Sequence, residues 1–295
     1  MKINIDENAG FCWGVVRTIE IAEKSLDEIN SGKIFVLGQI IHNPREMERL
    51  EEIGLKTIKR EDFKKIAHQK VKVIIRAHGE PPGTYKIAEE LGIEIIDATC
   101  PLVTRLQNRI KEKYDEGWQI VIFGKKEHAE VIGLRGVCNN KAIVIKNSEE
   151  AIKNVDFDKK TVLYSQTTMG KPTFYAIKNV LKEKVSTLID GSEIKDKFIA
   201  KDTICHYVSG REDSLKVFCN ENDVVLFVAG RKSSNGRSLY NVCKTVNDRV
   251  YFIEDYKEID FKWFRGASTI GISGATSTPQ WYMELVKEKI EEKLS

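Results

Sequence analysis

Short apolar runs alternate with helix-period segments along the whole chain, and this alternation restricts the fold to parallel α/β sheets. The runs include "KIFVL", "KVIIR", "IEIID", "QIVIF", "AIVI", "TVLYS", "DVVLFV", "RVYFI" and "TIGIS". Between them, segments such as "PREMERLEEIG", "GTYKIAEELG" and "PTFYAIKNVLKEK" repeat apolar residues at helical spacing. Runs apolar throughout are buried on both faces, as strands covered by crossover helices are.

The alternation repeats about three times, and each copy begins with a cysteine before a helical segment. Cys12 precedes Val15, Ile19, Ala22, Leu26 and Ile29; Cys100 precedes Leu102, Leu106 and Ile110; Cys205 precedes Val208, Leu215 and Cys219. The intervals, 100 − 12 = 88 and 205 − 100 = 105, are each the size of a small domain. The expected layout is three similar α/β lobes in pseudo-threefold arrangement, at 1–100, 101–200 and 201–280. A C-terminal helix at 281–295 can pack back on the first lobe. Ligands in open α/β sheets bind at the carboxyl ends of strands. Six polar loops fall at such ends: "IIHNP", "RAHGEPPG", "GKKEHAEVIG", "SQTTMGKP", "GRKSSNGRS" and "GISGATSTPQ".

With 295 residues, the chain exceeds one core. Lys plus Arg (47) against Asp plus Glu (44) leaves a net charge of +3, too near neutrality for a nucleic-acid binder. There is no apolar run of transmembrane length and no secretory leader, so a cytoplasmic protein without a membrane partner is expected. The six cysteines contain no CxxC pair and are expected as reduced thiols.

If the lobes face one another, Cys12, Cys100 and Cys205 converge. Structural zinc sites pair their ligands closely, whereas an iron–sulfur cluster accepts ligands that meet only in space. Three cysteines on a 4Fe–4S cluster leave one iron open to a substrate oxygen. The competing reading is three unrelated buried thiols, the reading kept for Cys138, Cys219 and Cys243. The loops offer His42, His78, His128, Thr167, Thr168, Ser233, Ser234, Asn235 and Ser277, a set suited to phosphate oxygens. Helix capping is the competing reading of "SSN". Glu130 stands out as the carboxylate of these loops, either a general acid in a dry cavity or a solvated surface glutamate.

Nine motifs occur in the order "AGFCWGV", "IIHNP", "RAHG", "DATCPLV", "KEHAEV", "SQTT", "DTIC", "SSN", "GATSTP". In these, spanning residue 3 to about 280, the chain resembles the 4-hydroxy-3-methylbut-2-enyl diphosphate reductases of the methylerythritol phosphate route to isoprenoids. The resemblance implies a 4Fe–4S cluster on Cys12, Cys100 and Cys205, and reductive removal of a hydroxyl with two electrons and two protons. The products are isopentenyl and dimethylallyl diphosphate. It implies a diphosphate site of His42, His78, His128, Ser233, Ser234, Asn235 and Ser277, with Glu130 as proton source. Thr167 then orders the hydroxyl and proton network, and His128 belongs with the catalytic groups. A ferredoxin or flavodoxin is the implied electron donor. Two positions depart from the family pattern: Ala129 replaces the proline of "HPEV", and Trp13 replaces a small residue. Arg231, Lys232 and Arg237 flank "SSN" and add long-range attraction.

Overall fold

The computed structural model describes residues 1–28, 33–188 and 194–294. The strand β1 (Lys2–Ile5) opens the chain but hydrogen-bonds to a strand near its far end. β2 (Lys33–Leu37), β3 (Lys56–Ile58), β4 (Val71–Ile75) and β5 (Glu94–Asp97) form one sheet in the order β3-β2-β4-β5. β6 (Gln119–Phe123), β7 (Ile143–Ile145), β8 (Thr161–Ser165) and β9 (Phe198–Ala200) form a second, β7-β6-β8-β9. β10 (Val224–Val228), β11 (Val250–Ile253) and β12 (Thr269–Gly274) form the third with β1, in the order β11-β10-β12-β1. Among the described residues, then, three four-stranded sheets share one topology. The register pairs Ile3 with Ile270, Val73 with Ile95 and Leu163 with Ala200, all parallel. The third sheet takes its last strand from the N-terminus, so β1 occupies the place that β5 and β9 hold in the other two.

The helices are α1 (Trp13–Asp27), α2 (Pro44–Glu52), α3 (Phe63–Ile66), α4 (Pro82–Glu90), α5 (Pro101–Asp115), α6 (Ala129–Gly136) and α7 (Ser148–Asn154). They continue with α8 (Lys171–Ser186), α9 (Ile194–Lys197), α10 (His206–Ser209), α11 (Glu212–Asn220), α12 (Ser234–Lys244) and α13 (Gln280–Leu294). Proline stands in the first turn of α2, α4, α5 and α8, where its missing N–H costs nothing. Ile29, expected on the first helix, lies outside the described residues. The single helix expected after Cys205 is divided: Val208 lies on α10, whereas Leu215 and Cys219 lie on α11. At the break, the Arg211 guanidinium donates to Gly274 O at 2.8 Å and Asp6 Oδ2 at 3.0 Å.

Two compact units hold these elements. One comprises Met1–Ile29, Gly38–Thr57 and His206–Ser295; the other comprises Asn30–Leu37 and Ile58–Cys205. In the first, alternate β10 residues Val224, Leu226 and Val228 pack with Tyr282, Met283, Val286 and Ile290 of α13. Val225 and Phe227 face the other way, with Leu215, Leu239, Cys219 and Cys243. In the second, Val121 and Phe123 meet Phe174, Ile177 and Leu181 of α8, while Ile120 and Ile122 meet Leu106, Ile110 and Cys138. Burial on both faces explains why these strands read as continuous apolar runs. Cys138, Cys219 and Cys243 are fully buried core side chains.

Candidate active site

Strand ends and helix starts place the polar residues. His42, His128 and Ser233 each stand five residues past the end of a topologically equivalent strand, at Leu37, Phe123 and Val228. His128 and Ser233 are the N-caps of α6 and α12, and Asn43, beside His42, caps α2. The cysteines follow a second repeated rule. The N–H of Cys12 donates to Thr276 O (3.3 Å), that of Cys100 to Ala77 O (3.0 Å) and that of Cys205 to Thr167 O (2.8 Å). Each acceptor lies two residues past its central strand, after Gly274, Ile75 and Ser165. Cys12 and Cys100 are N-caps of α1 and α5, and Cys205 immediately precedes α10. All three are half-buried, unlike the three core cysteines.

In the first unit lie Cys12, His42, Ser233, Ser234, Asn235 and Ser277. Ser233 Oγ lies 3.2 Å from Ser277 Oγ and accepts the Gly236 N–H at 3.0 Å. Asn235 Oδ1 accepts both the N–H (2.8 Å) and the hydroxyl (2.9 Å) of Thr276. Those two donors fix the amide's orientation, so its Nδ2–H₂ is buried without an acceptor among the described residues. Ser234 is buried at the first position of α12. Gly230 makes room for the His42 loop, since a Cβ there would stand 2.1 Å from His42 O. The Arg231 guanidinium reaches Glu258 at 2.7 Å, so its charge is directed there.

The second unit holds His78, Cys100, His128, Glu130, Thr167 and Cys205. Glu130 is 1% exposed. Thr167 donates its N–H to Oε1 at 2.7 Å, and its hydroxyl lies 2.6 Å from Oε2. Burial pushes this carboxyl up from 4.5 to about 7, against the two Thr167 donors, which pull it down. Thr167 therefore joins Glu130 on one side to the Cys205 backbone on the other. His128 Nδ1 accepts the Glu130 N–H at 3.3 Å, which leaves Nε2 as the nitrogen able to donate. The His78 and His128 rings meet edge-on at 5.2 Å. Thr168 Oγ1 accepts from Gln166 Nε2 at 2.7 Å, and Gln166 Oε1 accepts the Lys125 N–H at 3.0 Å. Ala129 is the first residue of α6, and the helix starts there without proline because the His128 ring caps it. Trp13 is half exposed, at 50%.

Sequence reasoning missed Thr276, Gln166 and the aspartates before the cysteines. For the aspartates a signal existed: "DATC" and "DTIC" share an Asp three residues before Cys. Thr276 and Gln166 stand inside "GATSTP" and "SQTT", but nothing local marks their contacts, because their partners are about forty residues away.

Comparison with known proteins places the chain in a family. A model of the LytB protein family matches residues 3–291. A 4-hydroxy-3-methylbut-2-enyl diphosphate reductase of Chloroherpeton thalassium is 48% identical, covering 98% of this chain and 96% of its own. The same-named protein of Bacteroides fragilis is 47% identical, over 99% of this chain and 98% of its own. A solved structure of (E)-4-hydroxy-3-methyl-but-2-enyl diphosphate reductase, the terminal enzyme of the non-mevalonate pathway, has 36% identity and a TM-score of 0.69, covering 99% of this chain and 100% of its own. The E-1-hydroxy-2-methyl-but-2-enyl-4-diphosphate reductase of Plasmodium falciparum superposes with a TM-score of 0.84 at 26% identity, over 97% of this chain and 87% of its own. With the family model matched over nearly its full length, the chain belongs to the LytB family of 4-hydroxy-3-methylbut-2-enyl diphosphate reductases.

Proposed function

We propose that this protein removes the hydroxyl of 4-hydroxy-3-methylbut-2-enyl diphosphate, consuming two electrons and two protons and releasing water. The products are isopentenyl and dimethylallyl diphosphate. The observation that carries the reading is the Glu130–Thr167 pair: a carboxyl sealed from water, protonated near neutrality, with a hydroxyl against it. A leaving hydroxide needs a proton delivered where bulk water is excluded. When Glu130 is protonated on Oε2, it donates to Thr167 Oγ1, and the Thr167 proton is turned outward. The pair then moves a proton by passing one from Oε2 to Oγ1 as another leaves Oγ1.

A 4Fe–4S cluster fits the donor set of Cys12, Cys100 and Cys205: half-buried thiols at helix starts, each with its N–H already tied to a carbonyl. When bound, the cluster would supply electrons and Lewis-acid chemistry. The diphosphate is assigned to His42, His78, His128, Ser233, Ser234, Asn235 and Ser277. The buried Asn235 Nδ2 is a donor set for an anionic oxygen, and His128 Nε2 is another. Glu130, Thr167 and His128 carry the proton chemistry. The division into lobes at 1–100, 101–200 and 201–280 belongs to the same proposal, amended by the place of β1 in the third sheet. Among the described residues no helix is long and apolar enough to cross a membrane. A ferredoxin or flavodoxin in the cytoplasm is the proposed electron source.

The test is an anaerobic assay of the brown, cluster-loaded protein with 4-hydroxy-3-methylbut-2-enyl diphosphate and a reduced mediator, with products identified by mass. Both C5 diphosphates are expected. Unconsumed substrate on iron-loaded protein refutes the assignment.

A further inference from the structure

Each proposed cluster ligand follows a strand-end aspartate, and the three aspartates are held alike. Asp97 ends β5, Asp202 follows β9 and Asp6 follows β1. In each, Oδ1 accepts the N–H two residues on: Thr99 at 2.9 Å, Ile204 at 3.1 Å and Asn8 at 2.9 Å. In each, Oδ2 accepts from a side chain distant in sequence. Tyr85 donates its hydroxyl to Asp97 at 3.0 Å, and Tyr175 donates to Asp202 at 3.1 Å. Arg211 (3.0 Å) and Ser273 (2.7 Å) serve Asp6. The two tyrosines share one register, ten residues past the ends of β4 and β8, at Ile75 and Ser165, and three past Pro82 and Pro172.

Asp97 and Asp202 are exposed, so core packing does not explain why three donors hold Asp97, the Thr99 hydroxyl among them, and two hold Asp202. Their common neighbour is a cysteine three residues on. That cysteine is tethered from the opposite side by its own N–H, to Ala77 O or Thr167 O.

We infer that Asp97 with Tyr85, and Asp202 with Tyr175, are positioning residues that preset the loops bearing Cys100 and Cys205 for iron binding. The inference rests on the cluster proposed above. A loop anchored at both ends loses less freedom on ligation, and its thiolate leaves the metal more slowly. Asp6 does the same for the strand leading to Cys12, with the partly buried Arg211 guanidinium in place of the tyrosine. The device is therefore repeated in all three sheets.

The readout is iron release to a ferrous chelator from anaerobically purified holoenzyme, with iron and acid-labile sulfide counted first. Asp97→Ala and Asp202→Ala each remove at least two hydrogen bonds and are expected to release iron at least about fivefold faster, the factor for one hydrogen bond of about 1 kcal/mol. Asp97→Asn and Asp202→Asn keep the Oδ1 acceptor, and their amide N–H can donate to the tyrosine oxygen in place of accepting from it, so they should return close to the parental rate, a rescue that a general loss of stability would not produce. Asp156, which makes the same turn to Asp158 at 3.1 Å far from any proposed ligand in sequence, is the control. Asp156→Ala should release iron at the parental rate. Parental rates in both Asp→Ala variants overturn the inference. If those variants fail to fold, Tyr85→Phe and Tyr175→Phe decide it: faster release supports it and parental release overturns it. A parent without iron and sulfide overturns the cluster assignment, and this inference with it.

Discussion

With Glu130 as the proton source proposed above, turnover and stability share one pH window, and Glu130→Gln separates the two. The carboxyl rises from 4.5 to about 7 because its charged form is desolvated. At about 1.4 kcal/mol per pH unit, that rise is about 3 kcal/mol of folding free energy. Below 4.5 the group is neutral in both folded and unfolded chains, and its contribution is fully present. Between 4.5 and about 7 the unfolded chain releases its proton while the folded one keeps it, so stability falls as pH rises. Above about 7 both are ionised and the whole amount has been lost. The glutamine side chain of the variant has no charge to desolvate. Its amide oxygen can take the Thr167 N–H, and its amide nitrogen can donate to the Thr167 hydroxyl.

Denaturant unfolding of anaerobic parent and variant at pH 5 and pH 8 is the assay. The parent should lose about 2 to 3 kcal/mol relative to Glu130→Gln between those values. In the same pair, turnover of the parent should decline above about 7, as the proton donor ionises. The variant should be slower by about a hundredfold or more at every pH, with its iron content intact. Equal pH dependence of stability in the two proteins would show that Glu130 is not held neutral by burial. Near-normal turnover of the variant would remove it from the reaction.

Other expectations follow from the same contacts. Cys12→Ser, Cys100→Ser and Cys205→Ser should each cost the protein its iron and sulfide, whereas Cys138→Ser, buried in a core, should keep both; metal counts on purified protein decide this. Asn235→Ala removes the acceptor for both Thr276 donors along with the buried Nδ2, and should weaken inorganic diphosphate binding about tenfold or more by calorimetry. Gly230→Ala drives a methyl into the His42 carbonyl and should raise KM more than it lowers kcat, because it displaces a binding loop rather than the proton pair. Glu46 is fully buried and accepts from Arg49 (2.5 Å) and from Trp281 Nε1 (2.9 Å). Glu46→Ala should cost about 2 kcal/mol by denaturation, less than a sealed ion pair would, because Arg49 is partly exposed and keeps Glu23.

The sequence showed clearly what is decided locally. Strands buried on both faces show as apolar runs, which is why β6, β8 and β10 were legible as written. Loop residues such as Glu130 and Ser233 were legible because they sit within a few residues of a strand end. What stayed hidden is decided by pairing across the chain. β9 is three residues, as β7 is, but β7 extends an apolar run of four, "AIVI", whereas "FIA" stands alone between Lys197 and Lys201. Tyr85 reads as one more helix residue until the fold sets it against Asp97. The burial that raises the Glu130 carboxyl, and the Thr167 donors that oppose it from thirty-seven residues on, exist only once the fold is made.

The place of β1 has a consequence for assembly. Cys100 and Cys205 hang from Ala77 and Thr167, both of which precede them in the chain. Their loops can close on residues already made as each cysteine leaves the ribosome. Cys12 hangs from Thr276, and its strand pairs with β12, whose last residue is Gly274. The first cysteine synthesised is therefore the last to gain its anchor, after a loop closure spanning most of the chain. The α13 face of Tyr282, Met283, Val286 and Ile290 then covers the sheet that β1 completes, with Ile3 and Ile5 packed against it. A nascent chain stalled before β12 should hold the Cys100 and Cys205 loops in native form while the Cys12 loop remains unanchored. On the proposed ligand set, the third thiol gains its anchor only once the C-terminal strand is in place, so iron loading is expected to follow completion of the third sheet.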